Sequence, residues 1–203
     1  MEGKASFDRR SERHQATRAE ILGAAWDLAR THGLAGLSLR DVAERVRMRP
    51  QSLYSYFPSK HAVYDALFSQ GYRQFLDVMG SLGVSPEPRS ALKETGRAFL
   101  AFCVADPVRY QLLFQRPIPG FEPSAEAYAD SLRPLGILVD AVADCIRAGL
   151  FGPADPAHVA GVLWAAAHGA VSLELAGYEG ASDAQARFQD LLAAAAAWFF
   201  ASR

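Results

Sequence analysis

Apolar residues recur along the chain at spacings of three and four, as in Ile21, Ala24, Ala25 and Leu28 and again in Val139, Val142, Ala143 and Ile146. That period belongs to helices; alternation of the strand kind, bounded by turn residues, is missing, and no internal repeat emerges. Start and stop signals cut the chain into about nine helices, so an all-α fold is expected. The first is predicted from near Ala16 to Thr31, ended by Gly33 in the left-handed conformation. Ser38 opens the second, with Asp41 three residues on as a variant capping box, and it runs to about Val46. The third spans Pro50 to Tyr56, its proline in the first turn, where a missing N–H costs nothing. Ser59 opens a fourth helix to about Met79, and Ser90 a fifth to about Val104 after a Gly/Ser/Pro-rich break. Asp106-Pro107 starts a short helix to about Gln115, and the proline-rich stretch Arg116 to Ser124 is a loop. A long helix with a kink at Pro134 is expected from Ala125 to Ala148, then one from Asp155-Pro156 to Ala176. Ser182 with Gln185 reads as a capping box for a last helix to about Ala201.

Short helices followed by long ones give two all-α domains: an N-terminal arm and head over residues 1–58, and a helical body over 59–203. Within the head, Val42, Ala43 and Val46 line one face of the second helix and Leu53 and Phe57 one face of the third. Only Arg47 and Met48 clearly separate the two, too tight for an antiparallel hairpin, so the helices must cross steeply as a helix-turn-helix. The third helix then turns Gln51, Ser52, Tyr54, Ser55 and Tyr56 outward. These are short or planar hydrogen-bonding groups, suited to base edges and phosphate oxygens, and unlike the Lys/Glu mixture of an ordinary solvated face.

From Ile21 through Ala24, Ala25 and Leu28, and then from Ser38 to Lys60, the pattern resembles the DNA-binding domain of TetR/AcrR-family transcriptional regulators. The run L-Y-S-Y-F-P-S-K, Leu53 to Lys60, carries the resemblance furthest. It implies that Arg40 reaches the major groove or its rim and that Gln51 contacts bases, with Pro50 and Ser55 close to the groove. It also implies that Ser52, Tyr54, Tyr56 and Lys60 hold phosphates, helped by the dipole at the start of the fourth helix. Half-buried aromatics remain the other reading of Tyr54 and Tyr56, and solvated charges that of Arg40 and Lys60. The sequence departs from the family in two places, with Arg47 where Gly is usual and Arg49 where a Ser or Thr cap is usual. Both add positive charge beside the third helix, either as phosphate contacts or as tolerated local strain.

Composition sharpens this division. The 203 residues carry 21 Lys+Arg and 22 Asp+Glu, a net charge of −1. Residues 1–60 hold 11 Lys/Arg against 7 Asp/Glu, a balance of +4, whereas the remainder balances at −5. A basic head on an acidic body fits a polyanionic partner, and the resemblance implies that the tail before Arg18 touches flanking phosphates or the minor groove, disordered until DNA is bound. That tail lacks the apolar stretch of a secretory signal, and no long apolar run marks a membrane span. Cys103 and Cys145 lie far apart in apolar surroundings, which fits a reducing cytoplasm better than a disulfide or metal site.

Enzyme signatures are missing: no G-x-S-x-G, P-loop, G-x-G-x-x-G, H-E-x-x-H or metal motif appears, so neither catalysis nor a cofactor is expected. The body does carry many aromatics, Phe99, Phe102, Tyr110, Phe114, Phe121, Tyr128, Trp164 and Tyr178 among them. Singly each fits core packing; together with a few polar groups they mark where an apolar ligand would bind. The segment from Asp106 to Ser124 and the later W-A-A-A-H-G are similar to the WHG-type regulatory domain of the same family, the letters standing for Trp164, His168 and Gly169. Expected ligand contacts are Phe99, Phe102, Cys103, Tyr110, Phe114, Tyr128, Trp164 and His168. Two readings of His168 stay open, a donor to ligand or a bond to a neighbouring carbonyl in the core. Val159, Val162, Leu163, Ala166 and Ala170, then Phe188, Leu191, Leu192, Ala195, Ala196, Trp198 and Phe199, are apolar on more than one face. The resemblance makes these two helices a four-helix dimer interface; covering the body's own core is the other reading. The whole then reads as a homodimeric, ligand-released regulator of DNA, most often a repressor in such a family. The competing readings are a helical enzyme or a protein-binding module without DNA binding.

Overall fold

The computed structural model describes residues 2–83 and 85–177, with positions 186, 187, 189–191, 193, 194 and 197 beyond them, and side chains from residue 11 onward. Among these residues there are no strands, and the all-α class expected from the sequence holds. The helices are α1 (Glu2–Gly36), α2 (Leu39–Arg45), α3 (Pro50–Tyr54), α4 (Lys60–Gly80), α5 (Pro88–Ala105), α6 (Pro107–Tyr110), α7 (Ala125–Arg147) and α8 (Pro156–Leu175), with a π-helical turn over Gln111–Gln115. Ser182, Gln185, Tyr178, Phe188, Leu192, Ala195, Ala196, Trp198 and Phe199 lie outside the described residues.

Several boundaries differ from the sequence expectation, each for a physical reason. α1 begins at Glu2, not near Ala16. Apolar periodicity starts only at Ile21, but residues 2–15 are mostly good helix formers without proline, so propensity carries the helix back through the basic tail, which is helical instead of disordered. Gly33 adopts φ +74° as expected, breaking the straight run. Ser38 makes no side-chain cap bond, so the box with Asp41 is not formed; α2 is held by burial of Val42 and Ala43. α3 ends at Tyr54, leaving Tyr56 in the following turn. α5 starts at Pro88 because Glu87 caps it, accepting from the amides of Arg89 at 3.2 Å and Ser90 at 2.8 Å. The Ser90 hydroxyl also donates to this carboxylate, and that bond first, then the two amide bonds, holds the Glu87 carboxyl below the usual carboxylate range. The helix predicted up to Gln115 is α-helical only to Tyr110, and Pro134 does not divide α7.

By compactness the chain forms two units: residues 1–71 with 111–128, and residues 72–110 with 129–203. The first is packed around Ile21, Ala25, Ala29, Val42, Ala43, Leu53, Phe57, Val63 and Leu67, all fully buried. Polar groups tie its periphery: Asp27 pairs with Arg45 at 2.8 Å, Trp26 Nε1 donates to Gln70 at 2.9 Å, and the Tyr64 hydroxyl donates to the Leu34 carbonyl at 2.5 Å. Residues 111–128 belong here because α4 is shaped to receive them. Gly71 leaves room for Leu113, whose Cδ2 would stand 2.9 Å from an added Cβ. Asp65 accepts from the amide of Ser124 at 2.6 Å and from its hydroxyl at 2.9 Å, fixing the N-terminus of α7. Phe121 packs 5.5 Å from the ring of Tyr64.

The second unit centres on α5 and α8, with Cys103, Val142, Val159 and Val171 among its most buried residues. Phe75 joins Phe99 and Phe102 at ring separations of 5.9 and 5.0 Å. Arg109 lies over the Phe102 ring at 3.7 Å and donates to the Phe102 carbonyl at 2.8 Å.

Candidate functional site

The turn between α2 and α3 is a Schellman motif: the amide of Arg47 donates to Glu44 O at 3.0 Å and that of Met48 to Ala43 O at 2.8 Å. It demands a left-handed residue, and Arg47 supplies it at φ +53°, about 1 kcal/mol less favourably than glycine would. Fully buried Ala43 lets the helices approach, while fully buried Leu53 and Phe57 fasten α3 from inside. The other side of α3 is open. Pro50, Gln51, Ser52 and Ser55 are exposed and Tyr54 is 52% exposed. Around them Arg40, Arg47 and Arg49 are also exposed, and none is ion-paired among the described residues. Seven side chains named from the sequence thus gather on one short segment, residues 47–55, with Arg40 a helix away on α2.

Two expected phosphate holders sit differently. Lys60 is half-buried, its Nζ donating to the Ala35 carbonyl at 2.9 Å and lying 5.4 Å from the Tyr64 ring. Tyr56 is half-buried too, with His14 stacked on its ring at 4.7 Å and Arg18 Nη1 donating to its carbonyl at 2.9 Å. Tyr56 thus sits closer to its alternative reading as a half-buried aromatic, whereas Lys60, tied to the Ala35 carbonyl, is not the solvated charge of its alternative reading. His14 and Arg18, i and i+4 on α1, went unassigned in the sequence because nothing local marks Tyr56, which lies 38 residues beyond Arg18, as their target.

In the second unit an apolar cavity opens among α4, α5, α7 and α8. Phe75, Met79, Leu92, Phe99, Leu138 and Trp164 form most of its wall, Thr95 is its polar group, and free space for a water-sized sphere is about 30 Å³. Of the expected ligand contacts, Phe99 and Trp164 are on this wall. Phe102, Cys103, Tyr110 and His168 are in the same unit but off the wall, and Phe114 and exposed Tyr128 belong to the first unit. The aliphatic lining was missed because Leu, Met and Ile at helical spacing look the same whether they face a void or a core.

His168 stands behind the wall. Its Nδ1 lies 3.1 Å from the Tyr110 hydroxyl, which also lies 3.3 Å from Ser172 Oγ, and the ring sits 4.8 Å from Trp164 and 5.1 Å from Phe99. One polar partner is thus a hydroxyl, where the sequence reading offered a ligand or a carbonyl. Burial pushes the imidazole down to about 4, so it is neutral at pH 7. Burial likewise pushes the Cys103 thiol far up and the Cys145 thiol to about 11, leaving neither as a nucleophilic thiolate. No group of three or more His, Cys, Asp or Glu able to hold a metal occurs among the described residues, and none of their helices is long and apolar enough to cross a membrane.

Residues 21–67 match the family of bacterial regulatory proteins called tetR, and residues 92–195 match the tetracyclin repressor-like C-terminal domain. The chain is similar to the HTH-type transcriptional regulator Rv1816 of Mycobacterium tuberculosis, 28% identical with 74% of this chain and 76% of the relative covered. It is also similar to the HTH-type transcriptional regulator RutR of Escherichia coli, 29% identical with 77% and 74% covered. Among solved structures, a Saccharomonospora viridis chain classed as a transcriptional regulator and bound to choline superposes with a TM-score of 0.73 over 87% of this chain and 94% of its own, at 19% identity. The families and relatives are regulators, not enzymes. With both halves of the chain matched and a helix-turn-helix built at the expected residues, the chain belongs to the tetR family as a DNA-binding transcriptional regulator.

Proposed function

We propose that this regulator is a cytoplasmic, ligand-released repressor that grips a pseudo-palindromic operator as a homodimer. The observation that carries the reading is the two-sidedness of α3: Leu53 fully buried, Gln51, Ser52, Tyr54 and Ser55 open. In this reading residues 1–58 are the DNA-binding domain and 59–203 the regulatory and dimerisation domain. Gln51 reads base edges, for which its amide suits adenine. Pro50 and Ser55 lie at the groove, while Arg40, Arg47, Arg49, Ser52 and Tyr54 hold its rim and phosphates; Tyr56 and Lys60 contribute from their packed positions. Two such heads reach successive major grooves when their separation is about one helical turn, roughly 34–36 Å, or a multiple of it.

Dimerisation through α8, together with the segment beyond residue 177, is supported by what α8 leaves uncovered. Val162 is 41% and Leu173 42% exposed, three turns apart, and between them Gly169 faces open space, so a second helix can come close. The effector enters the cavity beside Phe99 and Trp164. α4 carries Val63 and Leu67 of the head core and, further along, Phe75 and Met79 of the cavity wall, so a ligand that displaces it respaces the heads. A tenfold loss of operator affinity asks for about 1.4 kcal/mol of coupling, returned in full as weaker ligand binding on DNA.

The test is a gel shift of the purified protein on DNA flanking its own coding region, beside a scrambled duplex. Wild type is expected to retard only the flanking DNA, with affinity falling steeply as salt rises, and Gln51→Ala and Tyr54→Phe to weaken it. Indifference of all three proteins to which DNA is used would remove the operator reading.

A further inference from the structure

α3 is only five residues long, too short to hold its own direction, so something outside it must set the angle at which its open side meets DNA. Its inner residues fix depth; they do not fix tilt. The far end is held from α1. Arg18 Nη1 donates to the Tyr56 carbonyl at 2.9 Å while its guanidinium lies 4.1 Å over the ring of fully buried Phe57. One turn earlier, His14 stacks on the Tyr56 ring at 4.7 Å and 24°. The carbonyls of Ser52 and Leu53 are met within the turn itself, by the amides of Ser55, Tyr56 and Phe57. Tyr56 lies in the turn that leads the chain away from α3, and its carbonyl is met by Arg18, so the exit of the helix is tied to α1. A guanidinium can hold a carbonyl and lie flat on an aromatic ring at once; an ammonium cannot do both equally well.

We propose that Arg18 is a positioning residue for DNA recognition: it sets the tilt of α3, and so the register of Gln51 against base edges, without itself contacting DNA. The proposal rests on α3 being the reading helix. It predicts loss of selectivity without loss of electrostatic contact, which a phosphate-binding arginine cannot mimic.

The experiment compares wild type, Arg18→Met, Arg18→Lys and Gln51→Ala on a duplex selected by the wild-type protein from a random pool and on a scrambled duplex of the same composition, across a salt series. Methionine keeps the length and ring contact of the side chain but removes its donors. Arg18→Met should bind the selected duplex about tenfold more weakly, the effect of misaligning one base contact, and the scrambled duplex less than about twofold more weakly. Its slope of log affinity against log salt should match wild type, with Arg18→Lys in between on affinity. Equal loss on both duplexes, with a slope shallower by about 0.9 per protomer, would make Arg18 a phosphate contact and overturn the proposal. Unchanged selectivity in Arg18→Met beside lost selectivity in Gln51→Ala overturns it alone; retained selectivity in Gln51→Ala removes α3 as the reader and this proposal with it. If Arg18→Met does not fold by circular dichroism, Arg18→Lys carries the same comparison, expected to lose selectivity at unchanged slope.

Discussion

The two compact units solve opposite problems with the same kind of helix. In the first, the buried side chains close on one another and the polar ones stand outside or cap carbonyls, as Lys60 does at Ala35. In the second, packing stops short: an apolar void is left beside Phe99 and Trp164, and a histidine, a tyrosine hydroxyl and a serine are drawn in behind it. On the function proposed above, a rigid surface suits the unit that would match a fixed duplex, and an underfilled interior the one that would admit a guest. The contrast itself is one of packing: the first core closes on itself and the second leaves a void.

Three measurements would break or sharpen it. The largest effect is expected from Phe57→Ala, which empties the centre of the first unit and should cost about 3–5 kcal/mol in denaturant unfolding, abolishing DNA binding with it. If the first unit tolerated that loss, its close packing would not be what holds α3.

Acid should act on the second unit through His168. Its folded pKa of about 4 lies below the ordinary imidazole value of 6.5, so the unfolded chain binds more protons in between. Stability from this group is therefore full above pH 6.5 and falls as pH is lowered towards about 4, by up to about 3 kcal/mol. Thermal melts of wild type and His168→Asn across this range should diverge, the variant showing the flatter profile. A shared profile would mean that His168 is not held neutral.

The smallest and most direct comparison uses one substitution twice. Ala43→Val, in the crossing of α2 and α3, should cost about 1–3 kcal/mol by overpacking, whereas Ala167→Val, on the cavity wall, should cost less than about 1 kcal/mol. Equal costs by chemical denaturation would show that the void is not available space.

The sequence exposed the first unit far better than the second. Pro50, the Gly33 break and the inward pair Leu53 and Phe57 are local signals, each tied to a conformation that a few neighbouring residues determine. Glu87 escaped notice as a cap because serine at position 90 offered the more usual signal, and the helical start at Glu2 because apolar periodicity marks a buried face, not a helix boundary. The cavity was half legible. Its aromatics stand out, but Met79, Leu92 and Leu138 gain their meaning only from what they fail to touch, and that is settled by tertiary packing. Arg18 and Lys60 look like solvated charges until the carbonyls of Tyr56 and Ala35 are brought to them across 38 and 25 residues.

The bond from Asp65 to Ser124 and the place kept for Leu113 at Gly71 bear on how such a protein can be taken apart. Anyone grafting its reading head onto a foreign sensor would cut after the first third of the chain and leave behind the stretch 111–128 that closes the back of that head. The transplant would carry a raw hydrophobic wound where Leu113 and Phe121 had been. A faithful chimera must splice in two pieces, not one.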